Sequence, residues 1–177
     1  MSNIRNNWKL EEVLELFNKS FNELLFEAHD THIQNHKKDM VQVCTLLSIK
    51  TGGCPEDCGY CSQSIHSDDP IEATPLMSLE EVKKQATLAR DQGSTRFCMG
   101  AAWRRPSNKN IDRVIKMIDV VHDLGMESCV TLGMLSEDQA VRLSKSGLNY
   151  YNHNLDTSRE YYTKVISTRN YQDRLNT

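Results

Sequence analysis

The chain has 177 residues, of which 25% are charged and 38% apolar, and its formal net charge at pH 7 is −3. A chain of this length normally forms one domain with a true core, and the weak negative charge provides no basic stripe for nucleic acid. No stretch of 18 or more apolar residues predicts a membrane span, and residues 1–5 lack the apolar core of a secretory signal. We therefore expect a cytoplasmic protein whose cysteines are reduced.

The first 40 residues show the apolar periodicity of helices. Two sets of apolar residues recur at helical spacing: Trp8, Leu10, Val13, Leu14 and Phe17, then Phe21, Leu24, Leu25 and Ala28. We predict a helical segment over residues 1–40 that packs as core or covers one end of the fold that follows it. This packing role is favoured over a catalytic one.

From residue 41 the pattern changes to strands that alternate with helices. Apolar and β-branched runs predict strands over residues 41–49, 95–100, 128–132 and 148–154, the first of them buried. Capping boxes predict helices that begin at Ser78 and Ser136, and the run 157–160 predicts the start of another. Glycines predict the helix ends, at Gly93, Gly125 and Gly147. A last helical segment is expected from Tyr171.

Such alternation implies parallel strands joined by right-handed crossovers, which is an α/β fold of the TIM-barrel type. A complete (β/α)8 barrel typically needs about 250 residues. Residues 41–177 therefore account for about four β/α units, roughly half of a barrel, whose last strand is expected to be an unpaired edge. Functional residues in this architecture lie at the carboxyl ends of the strands.

Three cysteines follow the first predicted strand in a C-x3-C-x2-C run: Cys54, Cys58 and Cys61. A [4Fe–4S] cluster normally takes four cysteines, so three leave one iron open to bind a substrate. Structural zinc is an alternative, but it usually requires a second cysteine pair, which the chain lacks. A disulfide framework is a second alternative, which needs an oxidising compartment. The spacing favours an iron–sulfur cluster over both.

Other candidate residues fall near the ends of later strands. Cys98 and Cys129, taken alone, are typical of core thiols, as is Cys44. Asn152, Asn154 and Asp156 share one strand face if that strand stays extended. Their amide and carboxylate groups suit a ureido ring, a ribose or an amino-acid head group, and the alternative is a buried structural network.

Three segments resemble the biotin synthase family of the radical S-adenosylmethionine (SAM) enzymes: residues 48–58, 93–103 and 150–157. The resemblance extends from about Trp8 to Thr177. It implies a partial radical SAM (β/α) barrel, a [4Fe–4S] cluster on Cys54, Cys58 and Cys61, and SAM on the open iron. The superfamily's usual Gly-Gly-Glu type motif is replaced by residues 100–102, which fit the version of this family.

The same resemblance assigns roles to the other candidates. It implies that Cys98 and Cys129 hold a second cluster, [2Fe–2S], whose remaining ligands, a later cysteine and an arginine, come after Thr177. Arg96 and His153 would lie beside that cluster, although a structural ion pair and a satisfied core histidine are the alternatives. Asn152 and Asn154 would contact dethiobiotin. SAM would be contacted by Tyr60, Gly100, Ala101, Asn154, Asp156 and Arg174.

The implied activity is sulfur insertion that converts dethiobiotin to biotin, the last step of biotin biosynthesis. The radical comes from reductive cleavage of SAM, so no protein side chain is itself expected to be catalytic. A flavodoxin- or ferredoxin-type protein would donate the electron, and a homodimer is compatible with the resemblance. Two alternatives remain open: a truncated half-barrel that is inactive or needs a complementing half, and a non-catalytic iron–sulfur or zinc-binding module.

Overall fold

The computed structural model describes residues 5–177. Residues 1–4 lie outside the described residues. They include the start of the predicted helical segment and most of the stretch in which we expected no secretory signal. The chain divides into two compact units, Met1–Val41 and Gln42–Thr177. Over the described range, no helix is both long enough and apolar enough to cross a membrane.

The first unit contains two helices, α1 (Leu10–Phe17) and α2 (Phe21–Asn35). The side chain of Ser20 accepts a hydrogen bond from the backbone N–H of Glu23 and so begins α2. No residue of either helix is buried, and Phe17 is 80% exposed. The two helices therefore do not form a core, and the other half of the expectation, that this segment covers one end of the fold, stays a prediction.

The second unit is built on a four-stranded parallel sheet in the order β1-β2-β3-β4. The strands are β1 (Cys44–Lys50), β2 (Arg96–Ala101), β3 (Glu127–Thr131) and β4 (Tyr150–Tyr151). The helices are α3 (Leu79–Asp91), α4 (Asn108–Asp123), α5 (Glu137–Lys145), α6 (Tyr162–Val165) and α7 (Tyr171–Asn176). Each of the first three helices joins two neighbouring strands, so the predicted α/β architecture is confirmed.

One face of the sheet carries the core. Ile49, Phe97 and Val130 point to this side, where they pack with Val82 and Val114 of the helices. The predicted helix starts at Ser78 and Ser136 are confirmed by side-chain caps, and the predicted ends by Gly93, Gly125 and Gly147, whose φ angles of +94°, +77° and +84° suit glycine. The local signals and the packing therefore agree in this layer.

The opposite face of the sheet is different. Leu46 is 73% exposed and Cys44 is also exposed, so the predictions of a buried first strand and a core thiol at Cys44 are wrong for this face. The reason is that α3, α4 and α5 pack on the side of Ile49, and within the described sheet β1 pairs with β2 alone.

The fourth strand is also shorter than predicted. It ends at Tyr151, and the helix expected from residue 157 begins at Tyr162, where no side chain caps it. Asp156 has a φ angle of +68°, which no extended strand adopts. The predicted alternation of Asn152, Asn154 and Asp156 along one strand face is therefore wrong.

Candidate metal centre

The loop that follows β1 carries Cys54, Cys58 and Cys61, and we call residues 51–65 the cysteine loop. Gly52 begins it at a φ angle of +64°, and a Cβ atom there would lie 2.5 Å from the backbone oxygen of Ile71. The two ends of the loop are joined through Cys54, whose N–H donates to the oxygen of Gln63 at 2.9 Å and whose oxygen accepts from the N–H of Ile65 at 2.9 Å. The loop is therefore a closed, hydrogen-bonded turn.

The three cysteines line one cavity of about 190 Å³ at the carboxyl ends of the strands, here called the strand-end cavity. Five further residues of its lining were predicted to contact SAM: Tyr60, Ala101, Asn154, Asp156 and Arg174. The structure thus brings together residues that follow three different strands, as the rule for parallel sheets predicts.

All three cysteine thiols belong to the lining of this one cavity. Within residues 5–177, no three cysteine, histidine or acidic side chains are close enough together to hold a single metal ion. A structural zinc needs its ligands on one atom, whereas a cluster binds each thiolate to a different iron. All six cysteines are free thiols. Three thiols in C-x3-C-x2-C spacing at one cavity are a donor set that fits a multi-iron cluster held by three cysteines.

Burial is the main influence on the pKa values of two of these thiols. It raises the pKa of Cys54 and of Cys58, and at Cys58 the positive charge of Arg169 opposes that effect. The Nη2 group of Arg169 donates to Cys58 Sγ at 3.3 Å. Since a metal binds the thiolate, metal binding must release protons from these groups.

Two carboxylates within the cysteine loop connect it to residues 167–169. Glu56 is buried, and its Oε2 atom lies 3.0 Å from Nη1 of Arg169 and accepts from the hydroxyl of Thr168. Asp57 accepts from the backbone N–H groups of Ser167 at 2.9 Å and Thr168 at 3.1 Å. The hydroxyl of Ser167 also donates to Asp57 and holds the pKa of that carboxyl well below its usual range.

The sequence reasoning missed Glu56, Asp57 and Arg169. The sequence signal that could have found the two carboxylates is their position as adjacent acidic residues inside the cysteine loop. The turn itself does not need exposed charge, so such a pair indicates another role. The contacts between residues 56–58 and residues 167–169 join positions more than 100 apart, with a separation of 111 for the Cys58–Arg169 contact. No local pattern connects residues so far apart.

Asp156 is the centre of a second group of contacts. Its side chain, 3% exposed, accepts from the Tyr60 hydroxyl at 2.6 Å, from Arg174 Nη2 at 2.6 Å and from Arg169 Nη2 at 3.1 Å. Burial alone raises the pKa of Asp156, but the hydrogen bonds from Tyr60 and Arg174 outweigh it and lower that pKa. The carboxylate is therefore ionised at neutral pH.

The asparagine and histidine residues after β4 are placed differently from the prediction. His153 and Asn154 both line the cavity, whereas Asn152 lies outside its lining and donates to Thr131 Oγ1 at 3.2 Å. Burial and the nearby Arg174 lower the pKa of His153, whose Nε2 atom is buried without a partner. Successive residues can line the same cavity here because the strand has already ended at Tyr151.

Cys98 and Cys129 lie on neighbouring strands at paired positions. Burial, together with the neighbouring Cys129 thiol, raises the pKa of Cys98 to about 12. Arg96 binds Glu127 Oε2 at 2.8 Å and lies 3.6 Å over the ring of Tyr150, so it makes the structural ion pair considered as its alternative role. None of these residues is in the lining of the strand-end cavity, and neither is Gly100, although its neighbour Ala101 is.

The sequence-family model that describes the radical SAM superfamily matches residues 48–177 of this chain. The chain is 55% identical over 177 residues to the biotin synthase of Erythrobacter litoralis and 57% identical over 177 residues to that of Thioalkalivibrio sulfidiphilus. Each alignment includes 100% of this chain and 52% of the relative. The chain therefore spans about half the length of the curated relatives it matches. The solved structure of HydG, a maturase of the [FeFe]-hydrogenase, gives a TM-score of 0.73 at 19% identity over 93% of this chain and 38% of that one, which shows a shared fold.

Proposed function

The chain belongs to the radical SAM superfamily, and from that premise we propose that it acts as a biotin synthase, which inserts sulfur into dethiobiotin to form biotin. Membership implies a [4Fe–4S] cluster and SAM. The observation that carries the proposal is the ring of three thiols around a cavity that also contains Tyr60, Asp156 and Arg174. The relatives named biotin synthase, at 55% and 57% identity, support the substrate.

The cluster site would be held by Cys54, Cys58 and Cys61. When bound, the cluster and SAM supply reductive cleavage of a carbon–sulfur bond and the radical chemistry that follows. The chain's own residues would place the ligand and keep water away from the reacting atoms.

The charge of the cavity favours a ligand with an anionic group. Three arginines, Arg104, Arg169 and Arg174, line it against two carboxylates, Glu56 and Asp156, which leaves an excess of one positive charge. Arg174 would bind the carboxylate of SAM, and Asp156, which is ionised, would accept hydrogen bonds from the ribose hydroxyls. Tyr60 would pack against the adenine, and the small side chain of Ala101 would allow backbone to approach the ligand closely.

The proposal includes a second cluster, [2Fe–2S], at the paired cysteines of β2 and β3. Cys98 and Cys129 supply two thiolates, whereas such a cluster takes four ligands, so it requires two more. Asn154 in the cavity lining is the better-placed of the two asparagines for dethiobiotin, and Asn152 would contact it from outside that lining. Arg96 and His153 stay proposed neighbours of the second cluster.

The remaining features stay predictions. We propose a cytoplasmic protein that receives its electron from a flavodoxin- or ferredoxin-type donor and binds neither nucleic acid nor membrane. A homodimer is compatible with this role. The division into a helical segment, residues 1–40, and a partial barrel, residues 41–177, is proposed on the same basis.

Anaerobic reconstitution with iron and sulfide tests the proposal. We expect about four irons per chain, a reduced-state EPR signal that changes when SAM is added, and release of 5′-deoxyadenosine measured by chromatography. Cys58→Ser should lose the iron and the deoxyadenosine. Cys44→Ser is the matched control, since this exposed thiol lies outside the lining of the cavity, and it should retain both.

The same reconstituted chain, supplied with dethiobiotin and assayed for biotin, separates the alternatives. Zinc binding with no iron chromophore would instead identify a non-catalytic module. SAM cleavage without biotin formation would identify a half-barrel that has a working first cluster and needs a complementing half.

A further inference from the structure

Arg169 has the most extensively bonded side chain around the strand-end cavity. It is 4% exposed, and its Nε atom donates to the hydroxyl of Tyr162 at 3.0 Å. Its Nη1 atom lies 3.0 Å from Glu56, and its Nη2 atom donates to Asp156 at 3.1 Å and to Cys58 Sγ at 3.3 Å. One guanidinium thus contacts the cysteine loop, the segment after β4 and helix α6.

We propose that Arg169 is a positioning residue that fixes the cysteine loop to Asp156 and, through its hydrogen bond to Cys58 Sγ, raises the reduction potential of the iron–sulfur site. The second part rests on the proposed function, because it requires a cluster on Cys58. The first part concerns the chain alone and does not require a cluster.

The positioning role follows from the geometry of the two loop contacts. Glu56 and Cys58 are two positions apart in the loop, and both are bonded to the same planar group. A guanidinium presents its donors in a rigid fork, so holding it also fixes the direction from which the loop approaches. Lysine has a single charged nitrogen on a flexible stem and cannot meet the separate directions of Glu56, Asp156 and Tyr162.

Because the contacts of Arg169 are buried, losing that side chain should cost stability. Glu56 and Asp156 have side chains that are 2% and 3% exposed, so the loss of Arg169 leaves two buried carboxylates with one less cation between them. Removing one partner of a buried ion pair is strongly destabilising, because the remaining charge is uncompensated. The local loop should therefore open when Arg169 is replaced.

The effect on the potential follows from charge. Reduction adds negative charge to a cluster and to its sulfur ligands, and a positively charged donor on one of those sulfurs stabilises the reduced form. Hydrogen bonds to ligand sulfurs are one of the known controls of cluster potentials. Without the donor from Arg169, reduction should become less favourable.

Arg169→Gln and Arg169→Lys test both parts, with Arg142→Gln as the matched control, since Arg142 pairs on the surface with Asp112. Before reconstitution, hydrogen–deuterium exchange of residues 54–61 should be at least about tenfold faster in both Arg169 variants than in wild type, because the loop loses its anchor. After reconstitution, a redox titration followed by EPR should show the reduced-to-oxidised ratio of Arg169→Gln falling about tenfold, which is about 59 mV for one electron. The control should match wild type in both.

Each outcome decides one part. Wild-type exchange rates in Arg169→Gln would overturn the positioning role. A wild-type potential at full iron content would overturn the electrostatic role while the proposed function stood. If the wild-type chain bound no iron, the proposed function would fail together with the effect on the potential, and exchange would still decide the positioning role. Should Arg169→Gln fail to fold, the double variant E56Q/R169Q removes both partners of the ion pair and is measured in its place.

Discussion

The helix-covered face of the sheet and the strand-end cavity are stabilised by different interactions. Ile49, Phe97 and Val130 pack with apolar side chains of α3 and α4, which lie in the connections between neighbouring strands. The cavity is held by charged hydrogen bonds between residues far apart, such as Tyr60 and Asp156, 96 positions apart. The packing of the scaffold thus follows from local apolar periodicity, whereas the geometry of the site depends on partners far apart in the sequence.

The largest expected effect concerns the apolar face. Phe97→Ala should lower the free energy of unfolding by about 4 kcal/mol, because it removes a fully buried ring and leaves a cavity. Leu46→Ala, on the exposed face of β1, is the control and should change it by at most about 0.5 kcal/mol. Urea denaturation followed by circular dichroism measures both. Equal losses would mean that the two faces are packed alike.

The next effect concerns the charged network. Asp156→Asn keeps the size of the side chain and tolerates the positive φ angle, but it removes the charge shared by Arg169 and Arg174. We expect a loss of about 3 kcal/mol, measured by the same denaturation. Asp112→Asn removes an exposed partner of Arg142 and should cost at most about 1 kcal/mol. Similar losses at the two positions would show that burial adds nothing to the network.

The smallest effect concerns the start of α3 and depends on pH. Hydrogen bonds from the backbone and hydroxyl of Ser78 lower the pKa of Glu81, so the folded state favours the ionised form. Its contribution to stability is therefore present above the unfolded pKa of about 4.3 and is lost as the pH falls through the folded pKa. Glu81→Gln should melt below wild type at pH 7, and the difference should shrink as the pH falls through the folded pKa of Glu81. A constant difference across this range would contradict the capping role.

The scaffold was largely predictable. Ser78 and Ser136 mark helix starts through their own side chains, and Gly93 and Gly125 mark helix ends through a backbone angle that other residues rarely adopt. The exceptions have physical causes. Cys44 and Leu46 are apolar by sequence, yet both side chains are exposed at the β1 edge of the sheet.

The segment after β4 was the least predictable. Its residues suit a strand, but Asp156 leaves the extended region at a φ angle of +68° and turns toward Tyr60, Arg169 and Arg174. Several buried charged bonds outweigh the weak preference of one residue for extended backbone. The consequence is that His153 and Asn154 line the cavity together, while Asn152 does not.

The amino-acid sequence alone was enough to predict the alternation of strands and helices, the three cysteines that follow the first strand, and the family to which these motifs point. Spacing and periodicity suffice for such features, because each depends on residues a few positions apart. Only the tertiary structure decided that Glu56 and Cys58 share Arg169, and that this arginine and Asp156 join the cysteine loop to the end of the fold. Those contacts exist because folding buries opposite charges that must then pair, and no local pattern states which distant partner each charge will meet.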